Sequence, residues 1–549
     1  MGYVQGGRIV ADALKAEGVS HLFTLCGGHI DAIYQGCHDL GIRVVDFRHE
    51  QSAAHTADGW ARATGRPGVA AVTAGPGVTD AVTAVANAYR AQVPMVLIGG
   101  QGPRLFADMG SLQDMNHVEL MRPITKWAVS VPETRRLGEY VQSALRVATQ
   151  GVPGPVFLEM PLDVLMNTAS EDEVVAYPGY RSEARVAPDP AYLAEAARLV
   201  SAAERPMLIV GSQIRWSSDP QALARLLESH PLPTFLSGMA RGLLPASHPA
   251  LLQRVRRQAL AEADLIFVLG TPLDFRLGYG KEGLAFAPGA KVIQVDLDGT
   301  EIGRNRPIDV GLVGDSGLTL AALHRALGEG GASGAAADFL GRLKEADAGK
   351  IAKMSAERDS DASPINPLRL CAELDARLDD DAIVVGDGGD FVATAAYNLE
   401  LKTPFSWLDP GPLGTLGVGP GYAMAAKLAH PDRQVVIVFG DGSFGLNGME
   451  VEAMVRQGID VKMVIGNDAC WTQIARAQRD MYGEERMIAT PLSYARYDQV
   501  AQGLGGHGEW VEAPEEIGPA LDRAFAADRA AVVNVKIGAS DFRKGAISV

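Results

Sequence analysis

An α/β fold of three parallel-sheet domains is predicted by this sequence. Three features carry that reading: short apolar runs alternate with amphipathic helical segments, each run ends in glycine or a polar turn, and the alternation recurs in two regions flanking a differently spaced middle. At 549 residues the chain also exceeds what a single hydrophobic core supports.

From Gly7, the helical pattern IVADALKAEG is followed by the runs HLFTL, IRVVDF, VAAVTA and PMVLIGG, which marks a first domain over residues 1–170 closing near PVFLEMPLDVLMN. Residues 171–189 are charged and proline-punctuated, as in a linker. A middle Rossmann-like domain over 190–328 contains RPMLIVGS, LIFVLGT and KVIQVDLD, whose ends carry Gly211, Gly270 and Asp296. The Gly/Ala/Ser-rich segment near GEGGASGAAAD, a polar helix and the turn DASPINP form a second connection over 329–366. The third domain, 367–540, repeats the grammar of the first with AIVVGDGG, VVIVFGDG, VKMVIGND and AVVNVKIG, and a tail over 541–549 follows.

Composition narrows the function classes. Hydrophobic residues make up 47% and charged residues 21%, which is globular, and a net charge of −16 argues against a nucleic-acid partner. Cys26, Cys37, Cys371 and Cys470 are too scattered for a disulfide framework or a structural zinc site and read as reduced thiols. Neither a basic-then-apolar leader nor a run of about 18 apolar residues is found, so a cytoplasmic protein without membrane contact is expected.

The strongest local signal is FGDGSFGLNGMEVEAMVRQGIDVKMVIGNDACWT. One strand ends in Gly440-Asp441-Gly442 and a helix follows. The next strand ends in Asn467-Asp468. Adjacent parallel strands bring both ends to one sheet edge, where glycine lets backbone approach a phosphate and the helix N-terminus favours its charge. Two carboxylates, a backbone carbonyl and diphosphate oxygens make the oxygen-rich octahedron magnesium prefers. A GDG by itself also makes an ordinary strand-to-helix turn; the second carboxylate is what distinguishes this one.

This segment resembles the diphosphate-binding motif of thiamine diphosphate enzymes. Relatives usually carry two asparagines where this chain has Asn467-Asp468, so the resemblance implies Asp441, Asp468 and the main-chain oxygen of Cys470 as metal ligands, with Asn467 competing. The first domain is similar to the family's pyrimidine-binding domain through RHEQSAAHTADGWARATGRPGVAAVTAGPGVTDAVTAVANAY. The resemblance makes Glu50 the carboxyl group that sets the tautomer of the cofactor's aminopyrimidine and places Thr73, Gly75 and Pro76 beside the cofactor. Without it, Glu50 would read as a partner of Arg48 and TAGPG as a glycine turn. In the third, diphosphate-binding domain it implies contacts from Gly389, Asp390, Phe391, Gly414, Thr415, Gly440, Gly442, Ser443 and Trp471, and makes Leu416 the apolar wedge that holds the cofactor bent.

LCGGHIDAIYQGC resembles the loop of benzaldehyde lyase and of the acetolactate synthase-like 2-hydroxyacyl-CoA lyases, which implies His29 as base over the reactive carbon and Gln113 of SLQDMNH beside the substrate hydroxyl. SGMARGLLP, LGTPLDFRLGYGK and WLDPGPLGTLGVG are most similar to the 2-hydroxyacyl-CoA lyases. That implies cleavage of a 2-hydroxyacyl-CoA to formyl-CoA and an aldehyde or ketone, or the reverse condensation. The candidate CoA-binding cations are Arg241, Arg276, Lys281 and Arg304, with ADP or CoA in the middle domain, and Arg543 and Lys544 in a tail that could fold over the thioester. FAD is not expected on this reading. The alternatives are an acetolactate synthase-like carboligase using pyruvate, with flavin in its middle domain, and a benzaldehyde lyase-like enzyme acting on free acyloins. Family members pair first and third domains of different subunits, which implies a homo-oligomer, usually a dimer of dimers.

Overall fold

The computed structural model describes residues 2–177, 180–328, 331, 333–538, 540 and 542. The first domain contains β1 (Tyr3–Gln5), β2 (His21–Thr24), β3 (Arg43–Asp46), β4 (Gly68–Val72), β5 (Met95–Gln101), β6 (Trp127–Ser130), β7 (Pro155–Pro161) and β8 (Thr168–Ser170). The middle domain contains β9 (Pro206–Val210), β10 (Thr234–Leu236), β11 (Leu265–Leu269), β12 (Lys291–Asp296) and β13 (Val310–Val313). The third contains β14 (Ile383–Gly386), β15 (Trp407–Leu408), β16 (Val435–Gly440), β17 (Lys462–Asn467), β18 (His507–Val511) and β19 (Ala531–Lys536).

The outer domains share one topology. The first sheet runs β3-β2-β4-β5-β7-β6 and the third β15-β14-β16-β17-β19-β18, every neighbour parallel; β1 and β8 form a separate antiparallel pair. The middle sheet runs β10-β9-β11-β12-β13, also parallel, with its strand order reversing between β9 and β11. β4, β7, β9, β11, β16 and β17 are buried along their whole lengths, since helices cover both faces of a parallel sheet; this is why they read as unbroken apolar runs.

Helices Glu50–Thr64 and Gly419–Ala429 clamp the first domain to the third. A Cβ on Gly59 would lie 2.7 Å from Tyr422 Cα and one on Gly421 2.9 Å from His55 Cβ, so the two backbones nearly touch. Inside this contact the buried Asp58 carboxylate accepts hydrogen bonds from Arg62 Nε (2.7 Å), Tyr422 Oη (2.5 Å) and Asn87 Nδ2 (3.0 Å), so the buried charge is paired and fully solvated by protein donors. The middle domain is tied to the first by Gln213 Nε2 donating to Gln92 Oε1 (2.7 Å), and to the third by Arg241, stacked over Trp407 and donating to the Ala396 carbonyl.

One segment departs from its expected role. Helix Gly334–Lys353, placed by its composition in a connection, inserts Phe339, Leu340 and Leu343 into the middle domain's core. Their spacing makes a narrow apolar stripe that the surrounding glycine, alanine and charge obscure in the sequence. All four cysteines are free thiols, and among the described residues no helix is long and apolar enough to cross a membrane.

Candidate active site

The carboxyl edge of the first sheet gathers five of the expected residues. His29 sits on the turn Gly28–Ile30 after β2, and its Nδ1 lies 3.0 Å from Thr73 Oγ1, just beyond β4. Thr73 donates in turn to Gln113 Oε1 (3.3 Å). Gly75 takes φ +60° and ψ −112°, and a Cβ there would meet Gln113 at 2.9 Å, so no other residue fits this turn. Pro76 occupies the first turn of helix Pro76–Ala91, where its missing N–H is no loss. Gln113 itself has φ +61°, a left-handed conformation uncommon outside glycine and typical of functional loops.

Burial lowers the pKa of His29 and so favours the neutral, basic form of its ring; the Leu112 carbonyl opposes this. Glu50 opens helix Glu50–Thr64, whose N-terminus is capped by His49 Nδ1 accepting from Gln51 N–H (3.0 Å). The residue is 8% exposed, and its carboxyl is held above the ordinary glutamate range by burial, partly offset by its own backbone N–H.

At the carboxyl edge of the third sheet, Gly440 N–H donates to Gly388 O (2.8 Å), drawing the ends of β14 and β16 together. Gly389 adopts φ +119°, open only to glycine, at the entry to helix Asp390–Asn398. Leu416 packs where a Cβ on Gly388 would be, Phe391 packs on Gly466, and Trp471 covers Gly442. Gly414 turns with φ +66°, and the Thr415 hydroxyl donates to Leu416 O (3.3 Å).

Asp441 starts helix Asp441–Asn447 and accepts backbone hydrogen bonds from Ala469 and Cys470, yet its Oδ2 is buried with no partner. Burial pushes its pKa up to about 6. Asp468 is pushed up to about 7 by burial and by the charges of Asp441 and Asp390, against a hydrogen bond from Thr472. Two buried, mutually repelling carboxylates with a free oxygen fit a divalent cation. Ala469, between Asp468 and Cys470, has φ +53°, which bends this loop back toward Asp441. Asn467 is different: fully buried, it donates to Asn534 Oδ1 (3.1 Å) and Ala495 O (3.3 Å) and accepts from Ala469 N–H (3.2 Å), so its polar atoms are committed inside the domain. Asp390 Oδ2 accepts from Arg476 Nη2 (2.6 Å), while its buried Oδ1 has no partner.

Sequence reasoning passed over two organising groups. Asp387 accepts from Gly417 N–H (2.8 Å), Gly419 N–H (2.6 Å) and Ser443 Oγ (2.5 Å), fastening the Leu416 loop to the diphosphate-side helix; burial raises it to about 6. Its signal was its place in GDGGDF, two residues before Gly389. His117, the last residue of SLQDMNH, and Glu159, within PVFLEMPLDVLMN, lie behind Gly75; nothing in either segment marks the two as partners.

The middle-domain cations do not converge. Arg276 and Arg304 line a 510 Å³ cavity at the β9/β11 switch point, but are engaged by Asp274 and Glu301 (nearest contacts 2.7 and 2.5 Å). Lys281 lines neither this cavity nor the next and lies over the Tyr279 ring. Arg241 lines a separate 700 Å³ cavity between the middle and third domains, together with Arg254, Arg256, Arg257, Lys350 and Lys353. Among the described residues no acidic side chain lines that cavity; its remaining wall is largely apolar and includes Tyr397, Leu399 and Phe542. Arg254 Nε and Nη1 are buried without partners, since Asp347 accepts from the backbone N–H groups of Gln253 and Arg254. Arg543 and Lys544 lie outside the described residues.

Among the described residues no hydrogen bond or ion pair joins the His29–Thr73–Gln113 cluster or Glu50 to the Asp441–Asp468 cluster. Exposed apolar side chains flank both: Leu105, Phe106, Met109 and Leu112 near Gln113, and Ile474, Met481, Tyr482 and Ile488 near Cys470.

Family models described as the N-terminal TPP binding, central and C-terminal TPP binding domains of thiamine pyrophosphate enzymes match residues 4–120, 193–323 and 387–535. A probable acetolactate synthase of Mycobacterium bovis is 42% identical over 537 residues, covering 97% of this chain and 95% of its own. 2-Hydroxyacyl-CoA lyase 2 of Bos taurus is 40% identical over 593 residues (99% and 92% covered), and that of Caenorhabditis elegans 38% over 592 (99% and 91%). Matched in all three domains and similar to these relatives along nearly its whole length, the protein belongs to the acetolactate synthase-like thiamine pyrophosphate enzymes.

Proposed function

We propose that this protein is a magnesium-dependent 2-hydroxyacyl-CoA lyase, cleaving the bond between the hydroxyl-bearing carbon and the thioester carbonyl to give an aldehyde or ketone and formyl-CoA, or running the reverse condensation. The observation that carries this reading over the pyruvate-using alternative is the cationic cavity. A three-carbon acid has no use for six basic side chains on an apolar floor, whereas the phosphates and adenine of CoA need both. The Arg254 guanidinium, whose Nη2 donates to Asn398 Oδ1 (3.4 Å) while its buried Nε and Nη1 have no partner, offers two free donors to an anion. Helix Asp390–Asn398 runs from Asp390, beside the diphosphate half-site, to Tyr397 in the cavity, about 10 Å at 1.5 Å per residue, which places the two within reach of a pantetheine arm.

Asp441, Asp468 and the Cys470 carbonyl hold the metal on this reading, and Asn467, its amide already committed, does not. Thiamine diphosphate, when bound, supplies the carbon nucleophile and the electron sink. Glu50, whose carboxyl keeps its proton to higher pH than an exposed glutamate, controls protonation of the pyrimidine ring. Leu416 and the Gly388–Gly389 backbone shape the bent pocket. Neutral His29 takes the substrate hydroxyl proton as the carbon–carbon bond opens, Gln113 orients that hydroxyl, and the proton taken up by the one-carbon fragment completes formyl-CoA. The switch-point cavity, where Glu301 Oε2 lacks a partner, suits the hydroxyl and amino donors of a nucleoside such as that of ADP or CoA. Among the described residues no hydrogen bond or ion pair joins the two half-sites within one chain; on this reading a second copy completes each site, and the apolar residues flanking both are its contact surface.

The test is separate incubation of purified protein, cofactor and Mg2+ with a 2-hydroxyacyl-CoA and with pyruvate. Formyl-CoA from the first supports the reading; acetolactate from the second with no reaction in the first replaces it by the synthase reading that the M. bovis relative favours.

A further inference from the structure

Directly behind the Gly75 turn lies a buried pair with no role in the steps above. His117, with no solvent exposure, accepts the Gly75 N–H at its Nε2 (2.8 Å) and meets Glu159 Oε2 at its Nδ1 (2.9 Å). A ring nitrogen that accepts a hydrogen bond carries no proton, so the ring's single proton sits on Nδ1, donated to Glu159. Glu159 is held in turn by Gln101 Nε2 (3.2 Å), which also donates to the Met115 carbonyl (2.8 Å) in the Gln113 loop.

Gly75 stands at the cap of helix Pro76–Ala91 and has no side chain to satisfy the local donors, and the next residue is proline. His117 supplies from outside what the cap cannot. The turn it fixes is interlocked with the reacting groups: Gly75 abuts Gln113 Cβ and backbone, Thr73 two residues earlier bonds both His29 and Gln113, and Gly100, adjoining Gln101, is where His29 Cβ packs. Residues 101–116 carry Gln113 in a left-handed conformation, and the inner side of this loop borders a 350 Å³ cavity lined by Gln101, Met115 and Glu159 instead of close-packed core. An apolar pair would satisfy packing at this depth without the desolvation cost of a carboxylate, so the polar pair is there for orientation.

We propose that His117, with Glu159 fixing its tautomer, is a positioning residue for the carbon–carbon bond step, pinning the Gly75 turn and through it the His29–Thr73–Gln113 geometry. The role assumed for that cluster rests on the function proposed above.

The experiment pairs kinetics with crystallography on the cofactor-loaded holoenzyme of His117→Leu, His117→Gln, which keeps an acceptor near the Nε2 position, and Glu159→Leu. Turnover is measured on whichever substrate the wild type consumes, 2-hydroxyacyl-CoA or pyruvate, so failure of the lyase reading is seen in the wild type alone. Expected for His117→Leu is a kcat loss of roughly 10–100-fold, the scale of lost outer-shell orientation, with KM within about threefold of wild type. Most of the loss is regained in His117→Gln, Glu159→Leu falls in the same way, and the crystal structure of His117→Leu shows the Gly75 turn and Gln113 displaced. Wild-type kcat in both leucine variants, an undisplaced Gln113, or a loss that follows unfolding and is not rescued by His117→Gln overturns the proposal.

Discussion

Asp468 stands beside Asp441 across the ends of two adjacent parallel strands, and the charge of Asp441 is one of the causes that raise Asp468 to about 7. Asp441 itself rises to about 6 through burial. Both values exceed the roughly 3.9 of an unfolded aspartate, so the folded metal-free chain holds more protons than the unfolded one between about pH 4 and 7, and these groups subtract stability as pH rises through that window. A divalent cation cancels that loss. The thermal upshift given by Mg2+ with thiamine diphosphate should therefore grow from pH 5.5 to pH 8 in scanning fluorimetry, and an upshift independent of pH would count against Asp441 and Asp468 as the metal pair.

Arg254→Leu should separate binding from stability. Burial already lowers the pKa of Arg254, and its Nε and Nη1 have no partners, so removing the charge should raise Tm of the ligand-free protein. The same change should raise KM for the CoA thioester about 10–100-fold, the value of one to two charge-assisted hydrogen bonds, with little effect on a truncated pantetheine thioester. Equal effects on both thioesters would remove the CoA phosphates from this cavity.

The pH profile carries the mark of His29. With its pKa lowered by burial, His29 stays neutral to lower pH than a free imidazole. The acid limb of kcat/KM should fall below about 6.5, and His29→Ala should lower kcat by roughly 10²–10⁴-fold. An unchanged acid limb in the residual activity of His29→Ala would assign the limb elsewhere.

Mixed dimers test the shared site. Glu50→Gln and Asp441→Ala homodimers should both be nearly inactive. Co-refolded together, they should recover about a quarter of wild-type turnover, since half of randomly paired dimers are mixed and each keeps one intact site. No recovery in verified mixed dimers would place Glu50 and Asp441 of one chain in one site.

Much of this architecture was legible because the interior strands of a covered parallel sheet must be apolar on both faces, and their glycine or aspartate ends mark the working edge: Thr73, Gly389, Asp441 and Asp468 all follow such runs. The strands that did not stand out, β1, β6, β8, β10, β13, β15 and β18, are all sheet edges, which are short or flanked on one side only and so give no long apolar run. Contacts between segments distant in sequence were equally silent. His117 and Glu159 are 42 positions apart, and Arg254 resembles any surface arginine until the third domain closes over it. Arg276 and Arg304 failed as a guide to the cationic cavity for the complementary reason: their acidic partners are only two and three residues away, and local ion pairing engages them before any ligand arrives.

The most direct measurement places equal concentrations of a 2-hydroxyacyl-CoA and pyruvate in one vessel with the Mg2+-loaded holoenzyme and follows products by mass spectrometry. The account predicts formyl-CoA and the matching aldehyde or ketone in equal amounts, with pyruvate untouched. Acetolactate accumulating while the thioester persists would contradict it.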